Sequence, residues 1–379
     1  MAMSERVIVA GGGPVGLAVA LGLSRHARLG VTVIERETPL AWSPPDGFDQ
    51  RVYALSPASL EWLARCGVRL DHARSAPVHA MQVWGDQSAG ALTLQRAMPL
   101  ATIVEHGALM QALREAARDG VTIETGVDVR GWRAGQLELS EGALREAPLV
   151  VAAEGRRSAL REAAGIEVDT VDYASMGVVA NFECATPHRD IARQWFLGDS
   201  ILALLPLPGA CVSMVWSLSN AEAHTLTQLA PDELACKVGE AAHLGAGALH
   251  ALTPVLGFPL VRQTAHRWVV PGLALVGDAA HSVHPLAGQG VNLGFGDAAE
   301  LTRQLRERSR FSSVGDPAVL RRFERARRAP AERMGQLTHR LRDLYFSPGE
   351  TETWLRNRGL ELLDRMPRLK DRLIEAAVS

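Results

Sequence analysis

The chain has 379 residues, of which 47% are hydrophobic and 22% charged, and its formal net charge is −2. This composition is typical of a globular protein and gives no strong positive field for binding nucleic acid. The four cysteines form no CxxC pair, and no apolar run reaches the roughly 18 residues of a membrane-spanning helix. The sequence therefore predicts neither a disulfide framework nor a zinc site, and we expect a cytoplasmic protein.

The first 35 residues predict a strand, a glycine-rich turn, a helix and a second strand. Residues 6–10 and 31–35 are apolar runs, and residues 15–24 are rich in alanine and leucine. A strand–helix–strand unit of this kind is the signature of a parallel sheet. The turn has the spacing G-x-G-x-x-G, formed by Gly11, Gly13 and Gly16 with Pro14 between them.

This glycine spacing indicates a dinucleotide-binding turn. Gly11 permits the tight turn, Gly13 lets a pyrophosphate approach the backbone, and Gly16 lets the helix pack closely on the sheet. The amino end of the helix attracts the phosphates. Glu35, followed by Arg36, closes the second strand, where a carboxylate binds ribose hydroxyls, so the site favours FAD or NAD over NADP.

The middle of the chain changes character twice. Helices are predicted at residues 58–66 and 109–117, and strands at 78–94, 121–129, 137–139 and 149–153. From residue 166 to 262 short strands dominate, at 176–184, 200–207 and 211–218, with one helix near 231–245. The parallel pattern resumes at 273–276, and the chain from residue 291 is mostly helical, which indicates an antiparallel sheet inserted in a parallel fold.

The segment 277–294, GDAAHSVHPLAGQGVNLG, joins that last strand to a helix. A NAD-dependent dehydrogenase has no need of a second acidic, glycine-rich strand end, whereas a flavin has a ribityl chain that suits a carboxylate and a ring that needs bare backbone nearby. Asp278 can supply the carboxylate, and Gly288, Gln289 and Gly290 can bring N–H groups to the start of the helix. These groups would stabilise negative charge on a reduced flavin.

Two histidines in this segment, His281 and His284, have a spacing that suits a metal on a helix. Pro285 and the glycines predict an irregular loop instead, and no other ligand completes a set, so we expect no metal. A structural role or a contact with the flavin is the better interpretation of both histidines.

These motifs together resemble those of the group A flavoprotein monooxygenases, and within that group the ubiquinone-biosynthesis hydroxylase family. The resemblance rests on the glycine turn with Glu35, the pair Glu154-Gly155 and the segment from Gly277, supported by DQRVYALSPASLEWL (49–63), LALLPLP (202–208) and LRNRGLELLDRMPRLKDRL (355–373). It covers essentially the whole chain.

The resemblance implies a role for each matching position. The ADP half of FAD would be bound by Gly11, Gly13, Pro14, Gly16, Glu35 and Arg36, with Gly155 beside it. Arg51 would meet the pyrophosphate or the flavin, although a surface arginine capping the next helix is the alternative, and Asp278 would bind the ribityl chain. The flavin ring would be bordered by Pro285, Gly288, Gln289, Gly290, Val291 and Asn292.

One position departs from the family. The family has Asp-Gly where this chain has Glu154-Gly155, and that element touches both FAD and the nicotinamide donor, so the substitution weakens any statement about how NAD(P)H docks. Arg156, Arg157 and Arg161 follow it, and they either attract a pyridine nucleotide or are solvated, with solvation the preferred interpretation.

The fold and domains follow from these motifs. We predict an α/β fold: a Rossmann-like FAD-binding domain (parallel sheet, ββα-type), an inserted antiparallel-sheet substrate domain and C-terminal helices. The FAD-binding domain would comprise residues 1–75, 100–165 and 265–315, the substrate domain residues 76–99 and 166–264, and the helical region residues 316–379.

The resemblance implies an FAD-dependent monooxygenase that hydroxylates the ring of a hydrophobic, polyprenylated phenol with O₂ and a flavin C4a-hydroperoxide, with NAD(P)H as electron donor. The alternatives are an FAD-binding, non-catalytic or redox-responsive subunit of a biosynthetic complex, or another flavin enzyme such as a prenyl reductase. No general base can be assigned: His188, His281 and His284 are candidates, each more often structural than catalytic, and the scarce tyrosines leave few candidates for a hydroxyl relay.

The C-terminal third carries an excess of arginine. Between Arg303 and Arg342 lie 12 arginines and four acids. On helices these arginines would form either a solvated face or a basic face for an anionic membrane, so peripheral contact with the inner membrane stays open, as do a biosynthetic complex and a homo-oligomer. We expect no nucleic-acid partner.

Overall fold

The computed structural model describes residues 5–38, 42, 47–85, 92–133, 135–140, 142–243, 248–282 and 289–346. Within them, eight α-helices surround two large sheets. The helices are α1 (Pro14–His26), α2 (Pro57–Arg65), α3 (His106–Ala117), α4 (Ala159–Ala163), α5 (Asn220–Thr227), α6 (Pro231–Ala241), α7 (Gln289–Arg306) and α8 (Pro317–Phe346).

The first large sheet has six strands. They are β1 (Arg6–Ala10), β2 (Gly30–Glu35), β8 (Val121–Thr125), β12 (Leu149–Ala152), β19 (Val269–Val270) and β20 (Leu273–Leu275). Their order is β19-β20-β12-β1-β2-β8, and every pair is parallel except β19 with β20. Strands β1 and β12 are buried almost throughout, as expected for parallel strands covered by helices on both faces.

The second large sheet has nine strands. They are β5 (Ala80–Trp84), β6 (Leu92–Gln95), β13 (Val168–Cys184), β14 (Ile191–Phe196), β15 (Ile201–Leu207), β16 (Cys211–Ser219), β17 (Leu249–Ala251), β18 (Leu256–Ala265) and β21 (His281–Ser282). The order is β21-β18-β13-β16-β15-β14-β5-β6, with β17 paired to β13. All its pairs are antiparallel except β14 with β5, so the predicted α/β class with an inserted antiparallel sheet is confirmed.

Two three-stranded sheets complete the strands that the structure describes. One consists of β3 (Val52–Leu55), β7 (Ala101–Glu105) and β4 (Ser75–Val78), in that order, and the other of β11 (Leu144–Glu146), β10 (Gln136–Leu139) and β9 (Val129–Arg133). The first links the two large sheets, because its side chains pack on one face of the nine-stranded sheet: Val52, Ala54, Val78 and Ile103 contact the cluster that includes Ala192, Leu205 and Leu207.

The two faces of the nine-stranded sheet have different neighbours. Along β13, Val178, Ala180 and Phe182 point to a core formed with α5 and α6. Side chains alternate along a strand, so Gly177, Val179 and Asn181 point to the other face, on the side of the loop that precedes β3. The side chain of Asn181 confirms this direction, since its Nδ2 donates to the carbonyl oxygens of Phe48 and Asp49 at 3.0 Å each.

Several elements were not predicted from the sequence. Helices α4 and α5 and strands β14 and β18 were missed, and residues 78–94, expected to be strand, are divided among three strands. Helix α5 is short, and its capping box of Ser219 and Glu222 is the one local signal that marks its start. Strand β18 contains Gly257 and Pro259, which lower strand propensity and are accepted because this strand lies toward the edge of the sheet.

Helices α1 and α7 cross where neither has a bulky side chain. A Cβ on Gly294 of α7 would lie 2.4 Å from Cγ2 of Val15, and a Cβ on Gly22 of α1 would lie 2.4 Å from Oγ1 of Thr302. The strand end at Gly277 also packs on Val15, since a Cβ there would lie 3.2 Å from Cγ1. This close contact brings the amino end of α7 to the glycine turn of α1.

The contact predicts that Gly294→Ala destabilises the protein even though alanine is the better helix former. Overpacking costs about 1–3 kcal/mol and outweighs the gain in helix propensity of about 1 kcal/mol. We therefore expect a lower free energy of unfolding in urea denaturation. Gly290→Ala in the same helix is the control, because a Cβ at Gly290 meets nothing within 4 Å. Equal free energies of unfolding for the two variants would contradict the prediction.

Candidate functional site

The predicted dinucleotide turn lies between β1 and α1. Gly11 has φ +102°, and a Cβ on it would lie 2.4 Å from the carbonyl oxygen of Ala153. A Cβ on Gly16 would lie 2.0 Å from the carbonyl oxygen of Gly11. These two positions therefore require glycine because the turn is packed against its own backbone and against the end of β12.

The amino end of α1 is open to a ligand. Gly13 is the N-cap and supplies no side chain to the first N–H groups, Pro14 occupies the first turn, and that turn contains no acid. A Cβ on Gly13 would meet nothing within 4 Å. Unpaired N–H groups, the positive end of the helix dipole and free space together suit a pyrophosphate.

Glu35 stands at the carboxyl end of β2, beside this turn. Its Oε2 accepts the N–H of Gly12 at 2.5 Å and its Oε1 accepts the N–H of Glu37 at 2.9 Å. The carboxylate is thus held at the place where a ribose would follow the pyrophosphate. Arg36 instead points to solvent and pairs with Glu37 at 3.6 Å, so nothing in its surroundings distinguishes it as a ligand of the cofactor.

Glu154 and Gly155 follow β12 next to the turn. Gly155 has φ +85° and open space at its Cβ position. The side chain of Glu154 turns inward to the start of α4, where its Oε2 accepts the hydroxyl of Ser158 at 2.5 Å. Burial raises the pKa of Glu154 to about 7, and hydrogen bonds from Ser158 and from the backbone of α4 act in the opposite direction.

Asp278 is brought beside the glycine turn by the packing of Gly277 on Val15, and we call the region between them the cofactor cleft. Its side chain is exposed to solvent, yet surrounding protein atoms crowd it. This crowding raises the pKa of Asp278, and the nearby charges of His281, Arg51 and Arg156 act in the opposite direction. An accessible carboxyl group in crowded surroundings is what the wall of a deep cleft provides.

Arg51 lies in this cleft although it is far from Asp278 in the sequence. Its guanidinium carbon stands 5.2 Å from the centroid of the Tyr53 ring, and its charge acts on both Tyr53 and Asp278. The guanidinium is exposed and bonds to no acid among the described residues, so the alternative of a helix-capping arginine is not supported: Ser56 caps α2 with its own hydroxyl.

The predicted surroundings of the flavin ring are only partly described. Pro285, Gly288 and His284 lie outside the described residues, and of Gln289 the backbone at the start of α7 is described. Gly290 and Val291 lie in the first turn of α7, which contains no acid. Asn292 ties that turn to β3 and α2: its Oδ1 accepts the N–H of Ser56 at 2.9 Å and its Nδ2 donates to the carbonyl oxygen of Ala54 at 2.8 Å.

A buried ionic cluster behind the cleft was missed from the sequence. Asp297 of α7 is fully buried, and its Oδ2 receives both Nε2 of His281 at 2.6 Å and the N–H of Gly277 at 3.0 Å. Its Oδ1 accepts Nε of Arg327 from α8 at 2.8 Å. Burial raises the pKa of Asp297, but His281 and Arg327 outweigh it and hold this pKa below its usual range. An acid on the buried stripe of an amphipathic helix was the signal available in the sequence.

The histidine candidates for a general base have structural contacts. His281 is buried between Asp297 and the ring of Trp268, whose centroid is 4.7 Å away. His188 bonds through Nε2 to the carbonyl oxygens of Leu207 and Gly209 at 2.9 Å, and through Nδ1 to the N–H of Asp190. These contacts occupy both ring nitrogens of His188 and Nε2 of His281. Within the described part of the chain, no three His, Cys, Asp or Glu side chains form a group that could hold a metal.

Tyr53 is the tyrosine nearest to the cleft. Its hydroxyl bonds to Nδ1 of His106 at 3.0 Å, and burial raises its pKa to about 12. Burial also lowers the pKa of His106. The phenol of Tyr53 and the imidazole of His106 therefore favour their neutral forms. They form a neutral hydrogen-bonded pair, and Arg51 lies over the ring of Tyr53.

The solvated interpretation of Arg161 is wrong. Arg161 lies in α4 with a buried side chain, which donates to the carbonyl oxygens of Ala279 at 3.2 Å and Arg156 at 2.9 Å, and to Oε1 of Gln263 at 3.3 Å. These contacts join the turn after β12 to the turn that carries Asp278 and to β18. Arg161 thus fixes the relative position of two cofactor motifs, and it is not available to a pyridine nucleotide.

The described residues fit FAD. The glycine turn and the open end of α1 suit a pyrophosphate, Glu35 suits a ribose, and Asp278 on the cleft wall suits a ribityl chain. The acid-free first turn of α7 directs N–H groups into the same cleft, where a flavin ring would follow.

Comparison with known proteins gives the same assignment. A family profile described as FAD binding domain matches residues 4–338. The 3-demethoxyubiquinol 3-hydroxylase of Escherichia coli is 35% identical over 85% of this chain and 85% of its own length. The ubiquinone hydroxylase UbiL of Rhodospirillum rubrum is 33% identical over 96% of this chain and 87% of its own.

The fold also has solved counterparts. PqsL of Pseudomonas aeruginosa, described as a probable FAD-dependent monooxygenase, superposes with a TM-score of 0.75 over 94% of this chain and 99% of its own, at 20% identity. At this identity the likeness supports the fold.

The raised pKa of Glu154 predicts a pH-dependent effect on stability. Its ordinary pKa is 4.5 and its folded value is about 7, so folding favours the protonated form. The stability that Glu154 contributes is complete below pH 4.5 and is lost as the pH rises through 7, by up to about 3 kcal/mol. Urea denaturation of the flavin-free protein and of Glu154→Gln should give curves of unfolding free energy that diverge in favour of the variant between pH 4.5 and 7. Parallel curves would contradict the assigned pKa.

Proposed function

The chain belongs to the FAD binding domain family and is an FAD-dependent aromatic hydroxylase, and we propose that its substrate is a hydrophobic, polyprenylated phenol of ubiquinone biosynthesis. The observation that carries this proposal is the convergence of Glu35, Arg51, Asp278 and the amino ends of α1 and α7 on one cleft. Relatives named as ubiquinone hydroxylases cover nearly the whole chain, so a non-catalytic subunit is not favoured.

We propose that the cofactor is held by the residues predicted from the sequence that line the cleft. The glycine turn and Glu35 bind the ADP half, with Gly155 alongside, Arg51 binds the pyrophosphate or the flavin, and Asp278 binds the ribityl chain. Backbone N–H groups of Gly290 and Val291 stabilise negative charge at the edge of the ring, because the first turn of α7 presents them without a competing acid.

When bound, FAD supplies the electrons and the oxygen chemistry that transfer one atom of O₂ to the aromatic ring. The chain positions the substrate and keeps water away from the reacting centre. The face of the nine-stranded sheet that bears Gly177 and Val179 forms the wall opposite the cofactor. The cluster of Asp297 holds Gly277 and α7 in place without touching the substrate, so it acts as a positioning group.

Further parts of the proposal concern donor, domains and membrane. NAD(P)H is the proposed electron donor, and residues 76–99 with 166–264 are the proposed substrate domain.

No helix in the described part of the chain is long and apolar enough to cross a bilayer. Peripheral contact through the arginines of α7 and α8 has less support, because Arg303, Arg327 and Arg328 each pair with an acid.

The proposed reaction predicts a defined product. With FAD, NADH or NADPH, and ¹⁸O₂, the protein should convert a prenylated phenol to a product that carries one labelled oxygen atom on the ring. Mass spectrometry of the product and the oxidation of the nicotinamide donor measure the reaction. Protein that binds no FAD, or a product labelled from water instead of O₂, would contradict the proposal.

Asp278→Ala should weaken FAD binding at least tenfold, since a hydrogen bond to a charged group contributes about 1.5–3 kcal/mol. Fluorescence titration of the flavin-free protein with FAD measures the Kd. Asp119→Ala is the matched control, because Asp119 is an exposed acid beyond the end of α3. If the two variants bind FAD equally well, Asp278 does not hold the cofactor.

A further inference from the structure

The face of the nine-stranded sheet that is proposed to face the cofactor carries a row of small apolar residues. Ala203 of β15, Val215 of β16 and Val179 of β13 are directly paired across adjacent strands, and Val179 is paired with Leu256 of β18. Paired residues share a face of a sheet. The row therefore crosses four strands and ends at β18.

A second row runs beside the first. Ile201, Ser217 and Gly177 are paired across β15, β16 and β13, and Gly177 is paired with Phe258. A Cβ on Gly177 would lie 2.7 Å from Cε2 and Cζ of Phe258. The ring of Phe258 thus covers the glycine, and both rows end in a large apolar side chain on β18.

These large side chains are exposed at the outer part of the sheet. Leu256 is 50% exposed and Phe258 39%, and Leu252, just before them in the chain, is 38% exposed. Among the described strands, residues 256–260 of β18 have β13 as their partner, while β21 pairs farther along, at Gln263 and Thr264. The two rows thus lead from the interior of the sheet to an apolar surface in contact with solvent.

This apolar surface begins next to the cofactor site. Nε2 of Gln50 donates to the carbonyl oxygen of Pro254 at 2.8 Å, and the residue after Gln50 is Arg51. The N–H of Asn181 donates to Oγ1 of Thr253 at 2.9 Å. The segment that leads into β18 is thereby fixed to the loop that places Arg51 in the cleft.

We propose that Leu252, Leu256 and Phe258 form an exit surface that carries the prenyl chain of the substrate from the cofactor cleft out across β18. This inference rests on the proposed function and adds the path of the chain to it. An aromatic head held at the flavin leaves its apolar chain to lie along the first row, where Ala203 and Val215 are partly exposed, and over the exit surface.

The chemistry of the exit surface favours a prenyl chain over the alternatives. Residues 249–261 contain no Asp, Glu, Lys or Arg, whereas surfaces that dock on anionic lipid combine apolar side chains with cations. Pro259 lacks the N–H that another strand would need for pairing at this edge. Such a surface suits a neutral, apolar chain that forms no hydrogen bonds.

The test compares two substrates with the FAD-loaded enzyme: a phenol bearing a farnesyl chain and the same phenol bearing a methyl group. The quantity measured is the ratio of kcat/KM for the farnesyl substrate to kcat/KM for the methyl substrate. In the double variant Leu256→Ser, Phe258→Ser this ratio should fall at least tenfold. Gly177→Val, which displaces the ring of Phe258, should also lower it.

Phe311→Ser is the matched control, because Phe311 is an aromatic side chain 85% exposed on the segment between α7 and α8. It should leave the ratio within about twofold of the wild type. An unchanged ratio in the double variant overturns the proposal. So does a double variant that keeps the ratio but loses binding to vesicles of phosphatidylethanolamine and phosphatidylglycerol, which would make this a membrane surface.

Failure of the proposed function gives a different result. If the wild-type enzyme hydroxylates neither substrate, the exit surface is tested by equilibrium binding of a dansyl-labelled farnesyl probe to the FAD-loaded protein. A Kd raised at least tenfold in the double variant supports a prenyl site without hydroxylation. A Kd equal to that of the wild type rejects the exit surface.

Discussion

The buried carboxylate of Asp297 is the interaction on which the arrangement of the cofactor cleft depends. It joins three elements that follow one another in the chain: the strand end at Gly277, the helix α7 and the helix α8 through Arg327. An unpaired carboxylate in this position would be strongly disfavoured, so the partners are required together. Because Gly277 precedes Asp278 and Asp297 lies in α7, one buried charge sets the position of both groups proposed to hold the flavin half of the cofactor, Asp278 and the amino end of α7.

Close packing of glycines also fixes the elements around the cleft. Val15 touches both Gly277 and Gly294, and Gly11 touches the end of β12. Larger side chains at these glycines would collide with their neighbours and push the three motifs apart. The glycines of these motifs therefore serve the packing of the elements that carry the motifs, in addition to the proposed approach of the cofactor to the backbone.

The sequence predicts local features well and remote ones poorly. The turn from Gly11 to Gly16, the ends of β1 and β2 and the role of a carboxylate at Glu35 follow from residues that are neighbours in the chain. The burial of Arg161 depends on contacts across more than 100 residues. The pairing of Asp297 depends on Arg327 of α8. From the sequence alone, an arginine is expected at the surface. The fold buries Arg161 because it brings three hydrogen-bond acceptors around its side chain.

The nine-stranded sheet shows why the run Ile201–Leu207, apolar at every position, could not be interpreted from periodicity. Leu202 and Leu204 point to the core with α5 and α6, while Ala203 points to the opposite face. Both faces are apolar, but their side chains differ in size: Phe182 and Trp216 fill one face, and the smaller Ala203 and Val215 of the other are partly exposed. A core is filled by large side chains, whereas a binding groove needs small ones that leave space for a ligand. The size of the side chains therefore distinguishes the two faces, once the pairing of the strands shows which residues share a face.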